Sequence, residues 1–366
     1  MKISVITVCL NSEKTIEQTI QSVTDQNDID YEYIIIDGKS TDSTLEIIKI
    51  YKDKISIIKS EPDNGIYDAM NKGITLATGD IIGIINSDDW YEPNTFNKIR
   101  ESFKESGADV VYGKLNLISE NGQSKVLLPG TIDKIRYEMG IPHPTVFVRR
   151  SIYKKYGMFN LEYKIAADYD LMLRLYVKGV KFYFCNDIVA NFRLGGISDK
   201  QHELCTEETL TIASTYLSSV PLIDRKYYKD IISHRRKVFC FENLLNNLSH
   251  RLETILRIGM GVGSDDSIVI FGAGVWGTKI YNALVKGDMR PLFFIDNNEE
   301  KWNTSQMNIK IYAPTVLKTY KGVLILAVKD FSKDILSQVK KINSISTYCI
   351  SWEEMVSESL LLDGLL

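Results

Sequence analysis

Apolar runs and amphipathic stretches alternate along the first hundred residues. Ile3–Leu10, Tyr33–Asp37, Ile55–Lys59 and Ile81–Ile85 are short and nearly continuous in apolar character. Between them, Thr15–Val23, Thr44–Tyr51, Ile66–Ala77 and Phe96–Phe103 space their apolar residues at helical intervals. Within Ile66–Ala77 the stripe is Ile66, Met70, Ile74 and Ala77, at i, i+4, i+8 and i+11. Continuous apolar strands between helices belong to a parallel sheet covered on both faces, so this part is predicted to be α/β. Such sheets bind ligands beyond the C-terminal ends of their strands. The residues placed there are Asn11, Asp37 and Asn86-Ser87-Asp88-Asp89.

From about Asp109 to Leu194 the pattern becomes mixed, with strand-like Val110–Tyr112, Val126–Leu128, Thr145–Arg149 and Phe182–Cys185 and a helix on which Leu171 and Leu175 share a face. Residues 205–262 read as polar helix, carrying Arg235-Arg236-Lys237 and an amphipathic stretch Phe239–Ile258, until Gly259, Gly261 and Gly263 interrupt it. A second, shorter βαβ series follows: Ser267–Phe271, Lys279–Lys286, Leu292–Asp296, Val323–Val328 and Ile335–Ile342. The expected organisation is therefore an α/β domain over 1–204, a helical connector over 205–264 and a small α/β domain over 265–366. A length of 366 residues suits two domains and a connector.

Charge and cysteine usage narrow the classes. Lys plus Arg number 44 against 47 Asp plus Glu, a net charge of -3, so no broad positive field is available to hold nucleic acid. The five cysteines form no CxxC pair, which argues against a zinc site or a disulfide framework and fits a reducing cytoplasm. Ile3–Leu10 leads into Asn11-Ser12-Glu13-Lys14 without a small-residue cleavage site and reads as a buried strand, not a signal peptide. No apolar run approaches the roughly 20 residues of a membrane-spanning helix. The Arg235-Arg236-Lys237 segment has two readings, a solvated helix between domains or a peripheral contact at the inner face of the plasma membrane. The oligomeric state stays open.

Asn86-Ser87-Asp88-Asp89-Trp90 leaves two adjacent carboxylates and an amide at the end of a central strand. Oxygen ligands of this kind suit Mg²⁺ or Mn²⁺, which bind through one or two carboxylates together with phosphates and water. The plainer alternative is a polar turn leading into the helix near Thr95. The surroundings favour the first: Asp37-Gly38-Lys39-Ser40-Thr41-Asp42-Ser43-Thr44 follows the second strand, and Glu61-Pro62-Asp63-Asn64-Gly65-Ile66-Tyr67-Asp68-Ala69-Met70-Asn71-Lys72-Gly73 follows the third. With the opening Thr7-Val8-Cys9-Leu10-Asn11, these segments resemble the inverting family 2 glycosyltransferases of the GT-A fold, and Asn86-Ser87-Asp88-Asp89 is similar to their DxD metal motif. The resemblance covers roughly residues 1 to 200. It implies a mostly parallel sheet sandwiched by helices, a nucleotide-sugar donor, most simply a UDP-sugar, and a divalent metal. It also implies that Thr7, Val8 and Asn11 line the nucleotide pocket with Asn86 and Ser87. Asp37 would accept the imide N–H of a pyrimidine, and Asp88 would hold the metal with Asp89 close by. The motif's first position is Asn86 instead of Asp, which removes one negative charge.

His143-Pro144-Thr145-Val146-Phe147 and Ala166-Ala167-Asp168-Tyr169-Asp170-Leu171 are similar to the acceptor-side segments of the same family. Inverting transfer needs one base to take the acceptor proton opposite the leaving diphosphate, a role the resemblance gives to Asp168. Ala167 stands where the family often has Glu, and Asp170 is a rival two residues on. Capping of the following helix is the alternative for Asp168, compatible with the first. His143, Trp90 and Arg193 are further candidates for contact with acceptor or diphosphate, Arg193 preceding a glycine loop, Gly195-Gly196-Ile197-Ser198, that resembles a closing loop. No Gln-x-x-Arg-Trp motif of processive synthases is found, so single-sugar transfer is expected, to a glycan or lipid-linked glycan in bacterial surface polysaccharide assembly.

In the C-terminal segment Gly272, Gly274 and Gly277 form G-x-G-x-x-G between a strand and a helix, with Asp296 24 residues after Gly272 at the next strand's end. This is similar to small Rossmann-like domains, for which nucleotide binding and a structural or dimerising role are both open. Two rivals to the transferase reading remain: an NAD(P)-linked sugar-modifying enzyme using the Gly272 loop, and a nucleotide-sugar sensor or scaffold, suggested by Asn86 and Ala167.

Overall fold

The computed structural model describes all residues except 28–29, 197–199, 247–248, 264–265, 329–331, 343–346 and 363–366. The chain forms two compact units, residues 1–232 and 233–366. The segment 205–264 is largely helical, and the division falls inside its long helix, Leu222–Asn246.

The first unit opens with β1 (Ile3–Cys9), α1 (Ile16–Thr24), β2 (Tyr31–Asp37), α2 (Thr44–Ile50), β3 (Ile57–Ser60), α3 (Ile66–Leu76) and β4 (Ile81–Asn86). These strands pair in parallel in the order β3-β2-β1-β4. Every residue of β1 is buried, as a strand covered on both faces must be. Gly73 on α3 lets the helix lie close, since a Cβ there would stand 2.4 Å from Ile6 Cγ2. The bottom of this sheet is tied by Glu32, which accepts bonds from Lys2 Nζ (2.7 Å), Thr78 Oγ1 (2.7 Å) and the Thr78 amide (2.6 Å), and from Ser4 Oγ. Burial alone would raise the Glu32 pKa, but these donors bring it down to about 2.

Beyond β4 the sheet continues as β4-β8-β6-β9-β5, built from β5 (Trp90–Tyr91), β6 (Val110–Ile118), β7 (Ser124–Leu127), β8 (Phe147–Arg149) and β9 (Phe182–Arg193), with β7 paired to β6 as a hairpin. Here most pairings are antiparallel, β6 with β9 being parallel. The helices are α4 (Thr95–Ser106), α5 (Arg150–Tyr156), α6 (Ala167–Val177) and α7 (His202–Thr215), followed by α8 (Leu222–Asn246) and, in the second unit, α9 (Ser249–Thr254). Gly113 is required where β6 is irregular against β9, because a Cβ would lie 2.2 Å from Val189 Cγ2. The strand expected over Thr145–Arg149 is shorter: His143–Thr145 forms a 3-10 turn, with Thr145 Oγ1 bonded to the carbonyls of Pro142 (2.8 Å) and Gly113 (3.2 Å).

In the second unit, β10 (Ile268–Phe271), α10 (Val275–Lys286), β11 (Phe294–Ile295), β12 (Ser305–Gln306), β13 (Ile309–Tyr312), β14 (Gly322–Leu326), α11 (Ser332–Ile342), β15 (Thr347–Ser351) and α12 (Trp352–Leu362) build a sheet ordered β12-β13-β11-β10-β14-β15. All its pairings are parallel except β12 with β13. Its core joins Phe241, Trp276 and Trp352, whose ring centroids lie 5.1–5.7 Å apart. Phe241, Leu252 and Leu256 therefore belong to this unit's core.

Candidate active site

The C-terminal ends of β1 and β4 and the loops after β2 and β3 surround a cleft of about 710 Å³. Val8, Asn11, Ser12, Asp42, Asp63, Ser87, Asp88, Gly196 and Lys200 line it. Asn11 adopts φ 50°, which turns its side chain onto the loop after β2, where Oδ1 accepts from the Thr41 amide at 2.8 Å. Ser12 and Ser87 hydroxyls meet at 2.8 Å. The cleft thus gathers Val8, Asn11, Asn86, Ser87 and Asp88.

Two expected nucleotide contacts lie beneath it. Thr7 is fully buried and its hydroxyl accepts from Tyr33 Oη at 3.0 Å. Asp37 is also fully buried: its oxygens accept from the amides of Lys39 (3.1 Å) and Ser40 (3.1 Å), from Ser60 Oγ (2.6 Å) and from Ser40 Oγ. That carboxylate organises its own loop and presents nothing to the cleft. Among the carboxylates that do line the cleft is Asp63, which sequence reasoning passed over. It takes the Gly65 amide at 2.9 Å, and its Oδ2 fills the space beside Gly38 where a Cβ would be only 2.5 Å away. A side chain at 38 would displace it, so the missing Cβ in Asp37-Gly38 was the available signal.

The motif after β4 splits by orientation. Asp88 faces the cleft; burial raises its pKa, opposed by the nearby charges of Arg193 and Lys200. Asp89 is turned inward, 1% exposed, with Oδ1 accepting the Arg193 amide at 3.2 Å and Oδ2 buried without a partner among the described residues. Burial first, and then the Asp88 charge, raise its pKa well above the usual carboxylate range. Asp89 therefore points away from the cleft that Asp88 lines. Among the described residues no group of three or more His, Cys, Asp or Glu side chains could enclose an ion. The donor set that remains is Asp88 with the Asn86 amide, whose Oδ1 is buried and has no partner among the described residues. This fits a Mg²⁺ or Mn²⁺ ion held by one carboxylate and a bound diphosphate, not an ion caged by protein alone.

A second cavity of about 540 Å³ carries Tyr67, Asn86, His143 and Asp168 in its wall. It shares Ile66, Asn86 and Phe192 with the cleft. Asp168 Oδ1 accepts from Tyr67 Oη (3.1 Å) and the Tyr169 amide (2.9 Å). Tyr67 Oη shares that one proton with the Ile165 carbonyl, the nearer acceptor at 2.6 Å. The residue before α6 is Ala166, with no side-chain cap, so Asp168 is not the cap. The support comes from Glu208 on α7: its carboxylate accepts the amides of Lys164 (2.7 Å), Ile165 (2.9 Å) and Ala166 (2.9 Å), fixing the loop that leads to Asp168. Nothing in the sequence marked Glu208, which lies about forty residues downstream among other acids.

The rival, Asp170, points elsewhere. It is 5% exposed, accepts from Tyr216 Oη at 3.0 Å and pairs with Arg174 at 3.4 Å, while burial raises its pKa. His143 lies in the cavity wall, and burial lowers its pKa against the pull of Asp168. Trp90 and Arg193 hold each other: the guanidinium stands 5.1 Å from the indole centroid and donates to Gln18 Oε1 at 2.8 Å. Neither lines the two cavities. Gly195 and Gly196 border the cleft, whereas Ile197 and Ser198 lie outside the described residues.

In the second unit the glycine turn is formed, but its carboxylate is occupied. Gly272 has φ 112°, and a Cβ on Gly277 would meet the Gly272 carbonyl at 1.9 Å, so α10 packs directly on the turn. Asp296 accepts from the Ala273 amide (2.8 Å) and from Lys301 Nζ (3.0 Å), and Lys301 also holds the Ala273 carbonyl (2.9 Å). Gly274 stands before α10 with open space around it.

Known proteins bear on the fold and class. Residues 4–170 match Glycosyl transferase family 2, and residues 264–350 match the C2185-like, N-terminal family. The chain is 30% identical over 203 residues to the PGL/p-HBAD biosynthesis glycosyltransferase of Mycobacterium bovis, covering 54% of this chain and 78% of that one. It is 27% identical over 200 residues to the putative teichuronic acid biosynthesis glycosyltransferase TuaG of Bacillus subtilis, 52% of this chain and 79% of the other. Among solved structures, S. aureus TarS 1-349 superposes with a TM-score of 0.54 at 19% identity, over 70% of this chain and 80% of that one. The mannosyltransferase PcManGT of Pyrobaculum calidifontis, in complex with GDP-Man and Mn²⁺, gives 0.52 at 15% identity, over 72% and 76%. The first unit has the α/β glycosyltransferase fold. The chain belongs to glycosyl transferase family 2.

Proposed function

We propose that the first unit moves a single sugar, with inversion, from a UDP-sugar in the Asp88 cleft to an acceptor hydroxyl in the Asp168 cavity. The observation that carries this is the shared wall: Asn86, Ile66 and Phe192 border both spaces, so the Asp88 carboxylate, fit for a diphosphate-bound cation, and the Asp168 carboxylate, fit for a base, line adjoining spaces. Asp63, which lies beside Gly38 and lines the cleft, would accept a pyrimidine imide N–H, the task first expected of Asp37. Asn11, Ser12 and Ser87 supply polar groups along the same cleft, and Lys200 adds a positive charge near Asp88. Asp88 would hold the divalent cation, with Asn86 as its neutral neighbour; when bound, the cation offsets the charge that develops on the leaving diphosphate. Asp168 takes the acceptor proton, held in place by Tyr67, while His143 shapes the wall beside it.

Complexes of TarS with UDP and with UDP-GlcNAc, and of PcManGT with Mn²⁺, support this donor and metal class by analogy. The names of the mycobacterial and TuaG relatives support a place in bacterial cell-surface glycan assembly. All five cysteines are free thiols, which accords with a cytoplasmic site of action. Among the described residues no helix is long and apolar enough to cross a membrane. For the Rossmann-like second unit a structural role is favoured, because Lys301 and Ala273 occupy the carboxylate that would otherwise meet a ribose. The test of the main reading is a thermal-shift series with UDP-, GDP-, dTDP- and CMP-sugars, with and without Mn²⁺. UDP-sugars with Mn²⁺ should raise the unfolding temperature of the wild type and not of Asp88→Ala; equal stabilisation of both proteins would remove the metal role of Asp88.

A further inference from the structure

The cavity that holds Asp168 has a floor unlike that of a site built for sugars alone. On β6, Leu115 and Leu117 point to one face, and the register sets Leu127 opposite Leu115 and Phe192 opposite Leu117. All four line the cavity. Met139 and Ile141, in the segment before the 3-10 turn, add to its wall. Toward solvent the floor ends in Leu127 and Leu128, 40% and 65% exposed. Polar groups stand apart from this floor: Tyr67 and His143 accompany Asp168, and Lys134, Glu138 and Lys164 belong to other parts of the lining. Sugar rings are recognised by hydrogen-bonding side chains that satisfy their hydroxyls, and a leucine floor would leave those hydroxyls unpaired. Apolar side chains left exposed along a pre-formed cavity mark a place for an apolar ligand.

We propose that the acceptor hydroxyl is carried on a hydrocarbon group, an aryl ring or the first carbons of a lipid chain, which lies along the Leu115–Leu117–Leu127–Phe192 floor while the hydroxyl meets Asp168. This rests on the cavity being the acceptor site of the transferase reading. It makes the acceptor an amphipathic molecule and gives the leucines of the β6–β7 hairpin the task of selecting it.

The experiment measures binding of glucose, octyl glucoside below its micelle-forming concentration, and phenyl glucoside by titration calorimetry, to the wild type and to Leu127→Asn and Leu128→Asn. A glucoside carrying hydrocarbon should bind at least tenfold more tightly than glucose, since two buried methylenes account for roughly that factor. The preference should shrink in both variants. Thermal unfolding of each variant reports that the fold is kept; both positions are solvent-exposed on the hairpin, and a variant that unfolds is replaced by Leu127→Ser. The octyl and phenyl arms tell an alkyl from an aryl group. Equal binding of glucose and its glucosides, or a preference untouched by the substitutions in folded protein, overturns the proposal. Binding of UDP-sugar with Mn²⁺, measured on the same wild-type sample, separates the two layers. Donor binding without hydrocarbon preference leaves the transferase reading standing and removes this one, whereas hydrocarbon preference without any donor binding removes the reading on which it rests.

Discussion

Replacing Glu208 with Gln should uncouple the base from its support. In the wild type one carboxylate receives three backbone amides, one on Oε1 and two on Oε2. Glutamine keeps one carbonyl oxygen, which can retain the Ile165 and Ala166 amides, but turns an NH₂ group toward the Lys164 amide, so donor faces donor. Hydrogen bonds to charged partners contribute about 1.5–3 kcal/mol and neutral ones about 0.5–1.5 kcal/mol. One bond lost and two weakened come to roughly 3 kcal/mol, which in a domain of this size lowers the unfolding temperature by about 6–12 °C. The loop concerned ends at Asp168, and Tyr67 bonds both the Ile165 carbonyl and the Asp168 carboxylate. Loosening it should misplace the base and reduce sugar transfer by about 10–100-fold, the range of a sub-ångström to 1 Å displacement. Donor affinity should be unchanged, because Glu208 does not border the Asp88 cleft. The assays are thermal unfolding, transfer to acceptor, and donor titration on the same preparation. An unfolding temperature and transfer rate both equal to wild type would refute the positioning argument.

Asp63→Ala should weaken UDP-sugar binding by roughly 1–3 kcal/mol with little loss of stability, whereas Asp37→Ala should leave buried donors unpaired and mainly lower the unfolding temperature; donor titration and calorimetry of the two variants check the contrast. Glu32 provides a pH signature. Its folded pKa, about 2, lies below the unfolded value near 4.5, so its contribution is fully present above pH 4.5 and is lost as pH falls toward 2. Acid unfolding of Glu32→Gln should lack that part of the slope between pH 4.5 and 2, and an identical profile would show that the Lys2–Ser4–Thr78 cluster does not act through this carboxylate.

The parallel half of the first sheet was legible because β1, β2 and β4 are buried on both faces and read as unbroken apolar runs. Other elements escaped for physical reasons. β9 runs to Arg193, but Asn186-Asp187 in its middle interrupt the apolar pattern, and the two-residue strands β5, β11 and β12 are too short to show a period. Site residues on strand ends could be located but not oriented. Asp37 and Asp88 both follow strands, and which carboxylate faces the cleft depends on donors such as Ser60, 23 residues away, and on Asp63 filling the space over Gly38. Asp168 and Asp170 are separated in the same way: the first has a tyrosine and an open cavity, the second a tyrosine and an arginine that enclose it. The glycine turn of the second unit matched its pattern, yet the pattern cannot show that Lys301 reaches back to hold Asp296.

The central claim is that Asp168 removes the acceptor proton during sugar transfer. Its most direct test is the transfer rate of Asp168→Asn beside Asp170→Asn, with donor affinity measured for both. The account predicts a fall of about 10²–10⁴-fold for Asp168→Asn at unchanged donor affinity. For Asp170→Asn it predicts a lowered unfolding temperature, through the weakened Arg174 and Tyr216 contacts, with transfer reduced far less. A near-wild-type rate for Asp168→Asn, above all with a collapsed rate for a folded Asp170→Asn, would contradict it.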